Sequence, residues 1–209
     1  MGRHKGYNRE EVLDRAMKLF WRKGYEGTHL QELVEVAGLN RFSLYKEFGG
    51  KEGLFLEALD RYLDQVMSLM GLLFREPQGL ENIQDYFKAA LDYPFFHGCF
   101  AVNTLVQNPV VPEEARRKVF DFINGGEQVF YTNLKAAKKA GMLRADADPR
   151  SLARLLITFD IGLVVSLQLG VDKRGIKQAL KPLELLLGVP LGRSPRQQVP
   201  AGSAYDQAV

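Results

Sequence analysis

Apolar residues recur along this chain every three or four positions, and no stretch alternates strictly between apolar and polar. That period belongs to helices with one buried face, so the pattern predicts an all-α protein. Val12, Leu13, Ala16, Met17, Leu19 and Phe20 form the first stripe, with Asn8 and Glu11 as a capping-box start and Gly24 as a stop. A second helix is expected to begin at Thr28, with Gln31 as its capping partner, and to bury Leu30, Leu33, Val34 and Ala37. Gly38 then supplies the left-handed residue of a tight turn. Asn40 can cap a third, very short helix over 41–48, in which Leu44 and Phe48 share one face. After Gly49-Gly50 a long helix spans 51–74, its stripe running from Leu54 and Phe55 through Leu59, Tyr62 and Val66 to Met70 and Phe74.

Beyond REPQG at 75–79 the pattern predicts helices over 80–92, 98–107, 113–140, 149–169 and 173–187. Pro94, the NPVVP run at 108–112 and Asp148-Pro149 punctuate them. Gly125-Gly126 is expected to kink or split the 113–140 helix. Residues 189–209 are poor in core residues and rich in Pro, Gly and Gln, which predicts a disordered tail. The domains expected are thus residues 1–50, residues 51–188, and that tail.

The short third helix is the feature that needs an explanation. Arg41, Phe42, Ser43, Tyr45 and Lys46 are too many large or polar groups for a core, yet Leu44 and Phe48 give the helix an anchoring side. Three helices in about fifty residues, with a glycine turn before the last, match a helix-turn-helix unit. In that motif the second helix lies in the DNA major groove and offers apolar atoms to its support and polar ones to bases and phosphates. The same turn also occurs in plain helical bundles.

Composition adds bounds. The 209 residues are 46% hydrophobic with a net charge of +3, ordinary for a globular chain and mildly basic. The apolar stretch at 155–170 is short for a bilayer span and contains Asp160, so a buried helix is expected and no membrane partner. The charged N-terminus MGRHKGYNREE has no apolar run typical of a secretory signal, and Cys99 is the sole cysteine, so a cytoplasmic location is expected. GGKEG is no phosphate-binding loop, because that motif needs Gly at Tyr45, Ser or Thr at Glu52 and a preceding strand. His4, His29 and His97 are scattered, with no metal-ligand spacing. No nucleophile elbow or dinucleotide fingerprint appears, so neither an enzyme, a cofactor nor a metal is expected.

Residues 10–55 resemble the N-terminal domain of TetR-family transcriptional regulators. The likeness rests on Ala16, Leu19-Phe20, Gly24-Tyr25, Thr28, Leu33, Ala37-Gly38-Leu39, Leu44-Tyr45, Phe48, Lys51-Glu52 and Leu54, in order and at the family's spacing. HGCFAVNT at 97–104 and the stretch from Ala136 to Leu156 are similar to the family's second domain more weakly. The resemblance implies a three-helix DNA-binding domain joined by a long helix to a helical bundle for ligand binding and dimerisation. It implies a transcriptional regulator, most often a repressor, that binds a near-palindromic double-stranded DNA operator as a homodimer and is released by a small-molecule effector. An all-α small-molecule-binding or enzymatic domain without a DNA role is the competing reading.

Carried over by position, Thr28, Tyr45 and Lys51 fall on phosphate-contacting positions, and Arg41, Phe42, Ser43 and Lys46 on base-facing ones, with Asn40 at their edge. Arg41 can take a guanine bidentately; Phe42, where small residues are common, can cover a thymine methyl or pack back onto helix one. Arg3, Lys5 and Arg9 form either a basic arm or a solvated terminus. Cys99 reads either as a small buried apolar residue or as an oxidant or electrophile sensor, and the second requires a lowered thiol pKa, which His97 and a helix start could supply. Phe95, Phe96, Phe100, Phe122, Phe130 and Phe159 are candidate ligand-contacting aromatics. The dimer surface is expected on the last two helices, through Leu155, Leu156, Leu163, Val164, Leu183, Leu186 and Leu187.

Overall fold

The computed structural model describes residues 7–93, 98–107 and 109–191, and the regular elements among them are all helical. α1 (Arg9–Lys23), α2 (Leu30–Ala37) and α3 (Arg41–Phe48) form the head. α4 (Lys51–Met70) and a 3-10 turn (Gly71–Phe74) lead to α5 (Leu80–Asp92), α6 (Phe100–Val106), α7 (Glu113–Lys139), α8 (Pro149–Gln168) and α9 (Lys173–Leu187). The all-α class expected from the periodicity is the one observed.

Local chemistry explains where the helices begin. Asn8 caps α1 by accepting from the Glu10 amide at 3.0 Å, and Asp148 and Asp172 cap α8 and α9 in the same way. The start of α2 differs from expectation. Thr28 does not cap it: His29 is the N-cap, and its amide donates to the Glu32 carboxylate at 3.1 Å. α7 also departs from expectation, running unbroken through Gly125-Gly126. A Cβ at Gly126 would sit 3.2 Å from Ile157 Cδ1 and 3.3 Å from Met70 Cε, so this glycine serves the close approach of α8 and α4 instead of a kink. Residues 189–191, expected to belong to a disordered tail, are packed against the protein instead. Leu191 is buried, its amide donates to Glu184 Oε1 at 2.8 Å, and the Pro190 carbonyl accepts from Gln84. The rest of that segment lies outside the described residues.

One apolar core runs through both halves, and α4 is the element they share. Its first turns face α1 through Phe20–Phe55 edge contact at 4.9 Å, and its middle meets α1 and α6 through Trp21–Tyr62 at 5.0 Å and Tyr62–Phe100 at 5.7 Å. Such ring pairs add to the area buried, each by roughly 0.5–1.5 kcal/mol. Around this seam Arg61 of α4 grips Asp14 of α1 at 2.5 and 3.0 Å, and Lys118 of α7 pairs with Asp60 at 2.9 Å. Further along, the buried Asn133 side chain donates to the Leu73 carbonyl and accepts from the Gly79 amide and Asn82, closing the turn between α4 and α5.

The expected dimer residues divide into two groups. Leu156, Leu163, Val164, Leu183 and Leu187 are consumed by the chain's own core, a correction that follows from their facing α7 and each other's helices. Leu155 and Leu186 remain exposed, and Val165, Leu169 and Leu185, not named in the expectation, are exposed on the same two helices. α8 is long and apolar enough, by length and composition, to cross a membrane. Its inner stripe of Ala153, Leu156, Ile157, Leu163 and Val164 is packed against protein.

Asp160 interrupts that inner stripe. Burial raises its carboxyl pKa from the ordinary aspartate value to about 7, with the Tyr86 hydroxyl bond opposing the shift. A folded-state pKa above the unfolded one means that the native state holds the proton longer. The ionisation penalty of Asp160 is therefore absent below about pH 4 and grows as pH rises to about 7. Asp160→Asn is expected to gain stability over the parent between pH 5 and pH 8, by about 5 °C in Tm. A Tm difference independent of pH in thermal unfolding would contradict this.

Candidate nucleic-acid interface

α3 is built to be held from behind. Gly38 takes φ 63° to turn the chain, and Asn40 Oδ1 then accepts from the Ser43 amide at 2.8 Å, setting the first turn. This cap commits the Asn40 oxygen and leaves its Nδ2 donor for a base or phosphate. Leu44 and Phe48 are buried in the core, while Arg41 and Lys46 are exposed. Phe42 is 75% exposed and Tyr45 49%, so the option of Phe42 folding back onto α1 is not taken. Ser43 is half-buried at the edge of the outward face.

The glycine pair after α3 has a specific task. Gly49, at φ 74°, ends the helix through its amide bond to the Tyr45 carbonyl at 2.9 Å. Gly50, at φ 111°, passes so close beneath Tyr45 that a Cβ there would lie 3.0 Å from the ring. The turn thus fixes the Tyr45 ring and starts α4 with no side-chain cap, leaving first-turn amides for an anion. Lys51 opens α4 with its Nζ 4.5 Å from the centroid of the Tyr25 ring. Burial pulls the Lys51 pKa down, and Glu26 partly offsets this. An ammonium held at a helix N-terminus, on an aromatic shelf, is positioned for a phosphate.

Two expected contacts do not survive. Thr28 is fully buried, and its hydroxyl donates to the Gly24 carbonyl at 2.7 Å, so it braces the α1–α2 turn and has no surface for a phosphate. Arg9 belongs to α1, pairs with Glu57 and with Glu47 at 3.4 Å, and lies 5.1 Å from the Phe48 ring centroid. It ties three helices together and is no part of an arm. Arg3 and Lys5 lie outside the described residues.

One link was invisible in the sequence. The Tyr25 amide donates to Gln107 Oε1 at 2.9 Å, and Gly24 approaches so closely that a Cβ would meet that oxygen at 2.4 Å. The head therefore touches the end of α6 as well as continuing into α4. The two residues are 82 positions apart, and no local pattern announces the pair.

The second half corrects other expectations. Phe100 and Phe130 are fully buried and packed against Phe55, Tyr62, Tyr86 and Phe87, so both serve the core in this structure. Phe122 and Phe159 keep part of theirs; Phe95 and Phe96 lie outside the described residues. Burial pushes the Cys99 thiol pKa up, against the pull of the Tyr62 hydroxyl and the Val102 and Ala101 amides. That is the reverse of what a thiolate sensor requires. His97, the suggested activator, is outside the described residues. Among the described residues no group of three or more His, Cys, Asp or Glu could hold a metal ion.

Comparison with known proteins agrees with this geometry. Residues 12–58 match "Bacterial regulatory proteins, tetR family", and residues 77–183 match "Tetracyclin repressor-like, C-terminal domain". The HTH-type transcriptional repressor ComR of Escherichia coli K12 is 44% identical over 110 residues, 49% of this chain and 51% of ComR, so the match spans about half of that relative. The HTH-type transcriptional regulator YezE of Bacillus subtilis 168 is 36% identical over 164 residues, 75% of this chain and 84% of YezE. A cysteine mutant of the TetR family regulator CifR, solved with 26-base-pair double-strand operator DNA, superposes with a TM-score of 0.74 at 29% identity, covering 90% of this chain and 98% of that one. An exposed, anchored reading helix, a helical second domain and matches to both halves lead to one conclusion: the chain belongs to the TetR family of transcriptional regulators, and it is a DNA-binding regulator, not an enzyme.

Proposed function

We propose that this regulator binds a near-palindromic operator as a homodimer, one α3 per half-site, and is released when a small molecule occupies its second domain. The observation that carries the reading is the outward row of Arg41, Phe42, Tyr45 and Lys46 on a helix pinned through Leu44 and Phe48. Arg41 and Phe42 reach base edges, Lys46 the groove wall, and Tyr45, Lys51 and the α4 amides the phosphates. That CifR was solved on operator DNA and that ComR is named a repressor support DNA binding and repression here. The cytoplasm, where such an operator lies, is its place of work.

A single head makes too few contacts for the nanomolar range typical of specific sites, so two heads about 34 Å apart, or a multiple of that, are required. The exposed Leu155, Val165, Leu169, Leu185 and Leu186 supply the surface that joins them. α4 and the Gln107–Tyr25 bond are the two routes by which the second domain biases the spacing of the heads. A coupling of about 1–3 kcal/mol weakens operator binding five- to hundredfold.

Titration of the DNA flanking its own reading frame by fluorescence anisotropy tests this reading. Lys51→Ala is expected to weaken binding on every sequence and to lower the slope of log K against log salt by about one per site. Arg41→Ala is expected to cost about 1–3 kcal/mol at one operator position and to leave random DNA nearly unaffected; equal losses on both would remove its base-reading role. Leu185→Asp combined with Leu186→Asp should convert the dimer to monomer in sedimentation at micromolar concentration and reduce operator affinity at least about tenfold.

A further inference from the structure

The interior of the second domain holds a set of polar groups that packing does not explain. Asp160 occupies the inner stripe of α8, between Ile157 and Leu163, where every neighbour on the stripe is apolar. The Tyr86 hydroxyl is its hydrogen-bond partner, and among the described residues no lysine, arginine or histidine pairs with it. The Cys99 thiol is near enough to feel the Asp160 charge. The Tyr62 side chain is 1% exposed, and its hydroxyl makes no hydrogen bond of normal geometry, with Cys99 and the Phe100 backbone as the polar groups beside it. Asp160 and Cys99 lie deep among the helices yet retain accessible surface, as do Phe159 and Tyr93 next to them.

A buried carboxyl with no cationic partner among the described residues and a buried hydroxyl with no hydrogen bond of normal geometry each cost stability. On the Asp160 side the rings of Tyr86, Phe87 and Phe159 pack in series, with Tyr86–Phe87 centroids 5.4 Å apart and Phe87–Phe159 6.1 Å. A buried carboxylate beside aromatic rings is complementary to positive charge on an apolar body. We propose that this cluster is the effector subsite and that it selects an organic cation, a protonated amine on an aromatic or alkyl skeleton. The ammonium pairs with Asp160 and donates a second N–H to the Tyr62 hydroxyl oxygen, while the skeleton lies against Phe159 and Tyr93. The inference rests on the ligand-responsive reading above and adds the chemical class of the ligand.

The test uses the full-length dimer and two matched sets of probes: 4-phenylbutylamine, 4-phenylbutanol and 4-phenylbutanoate, and the corresponding n-octyl amine, alcohol and carboxylate. Binding is read by calorimetry and thermal shift, and release by anisotropy of labelled operator. Amines are expected to bind about tenfold more tightly than the alcohol or carboxylate of the same skeleton, and to release DNA. Asp160→Asn should abolish that preference, its retained operator binding showing that the variant is folded. Tyr62→Phe should weaken the amine a few-fold while preserving the order of the series. Amine preference that persists in Asp160→Asn, equal binding of all three head groups, or binding of none of the six compounds overturns the proposal. Alcohols or carboxylates that bind and release operator would leave ligand response standing while ending the cation class. Amines that bind through Asp160 without changing operator occupancy would keep the subsite and end the regulatory reading.

Discussion

Leu44 and Phe48 hold α3 to α1 and α4, and this contact carries the DNA-facing surface. An eight-residue helix is too short to persist alone in water, so its shape depends on what it packs against. Burying two such side chains contributes roughly 1.5–3 kcal/mol each. Around them, the Asn40 cap, the Gly49 stop and the Arg9 guanidinium over Phe48 remove the remaining freedom. The outward residues can then stay polar and exposed, because none of them is needed to keep the helix in place.

The same economy appears at the end of α3. Gly50 has a backbone conformation and a closeness to Tyr45 that a side chain would disturb, so the turn orients the Tyr45 ring and begins α4 at one stroke. Lys51, on Tyr25, joins this turn to the α1–α2 loop, which in turn reaches α6 through Gln107. Head and second domain are therefore connected through two elements, α4 and α6, and through a shared aromatic seam of Phe20, Phe55, Tyr62 and Phe100. A shift in the second domain cannot leave the head untouched while those contacts persist.

Against this well-packed frame, the Asp160 carboxyl and the Tyr62 hydroxyl stand out as polar groups that cost the fold stability. Stability yielded at an interior polar cluster is a common signature of a site kept for binding. The raised Cys99 pKa belongs to the same low-polarity surroundings that make Asp160 hold its proton.

Much was legible in the residues alone. Helical period, caps such as Asn8, Asn40 and Asp148, and the glycine stops are local signals, written within four positions of where they act, and they set the all-α class and the limits of α3. The motif from Ala16 to Leu54 is likewise local, so the exposed row of α3 and its buried anchors Leu44 and Phe48 could be named from the chain itself. Long-range pairing decided the rest. Thr28 looked like a cap and a phosphate contact until its hydroxyl turned inward to Gly24. Arg9 was drawn from a basic terminus into a three-helix tie, Gly126 became a contact point for two other helices, and half of the apolar residues on α8 and α9 went to the interior. Periodicity tells which face of a helix is apolar, but not whether that face meets its own chain, a second subunit or a ligand. Only the packing of helices distant in sequence settles that, which is why Asp160 and Gln107 gained meaning from the tertiary structure alone.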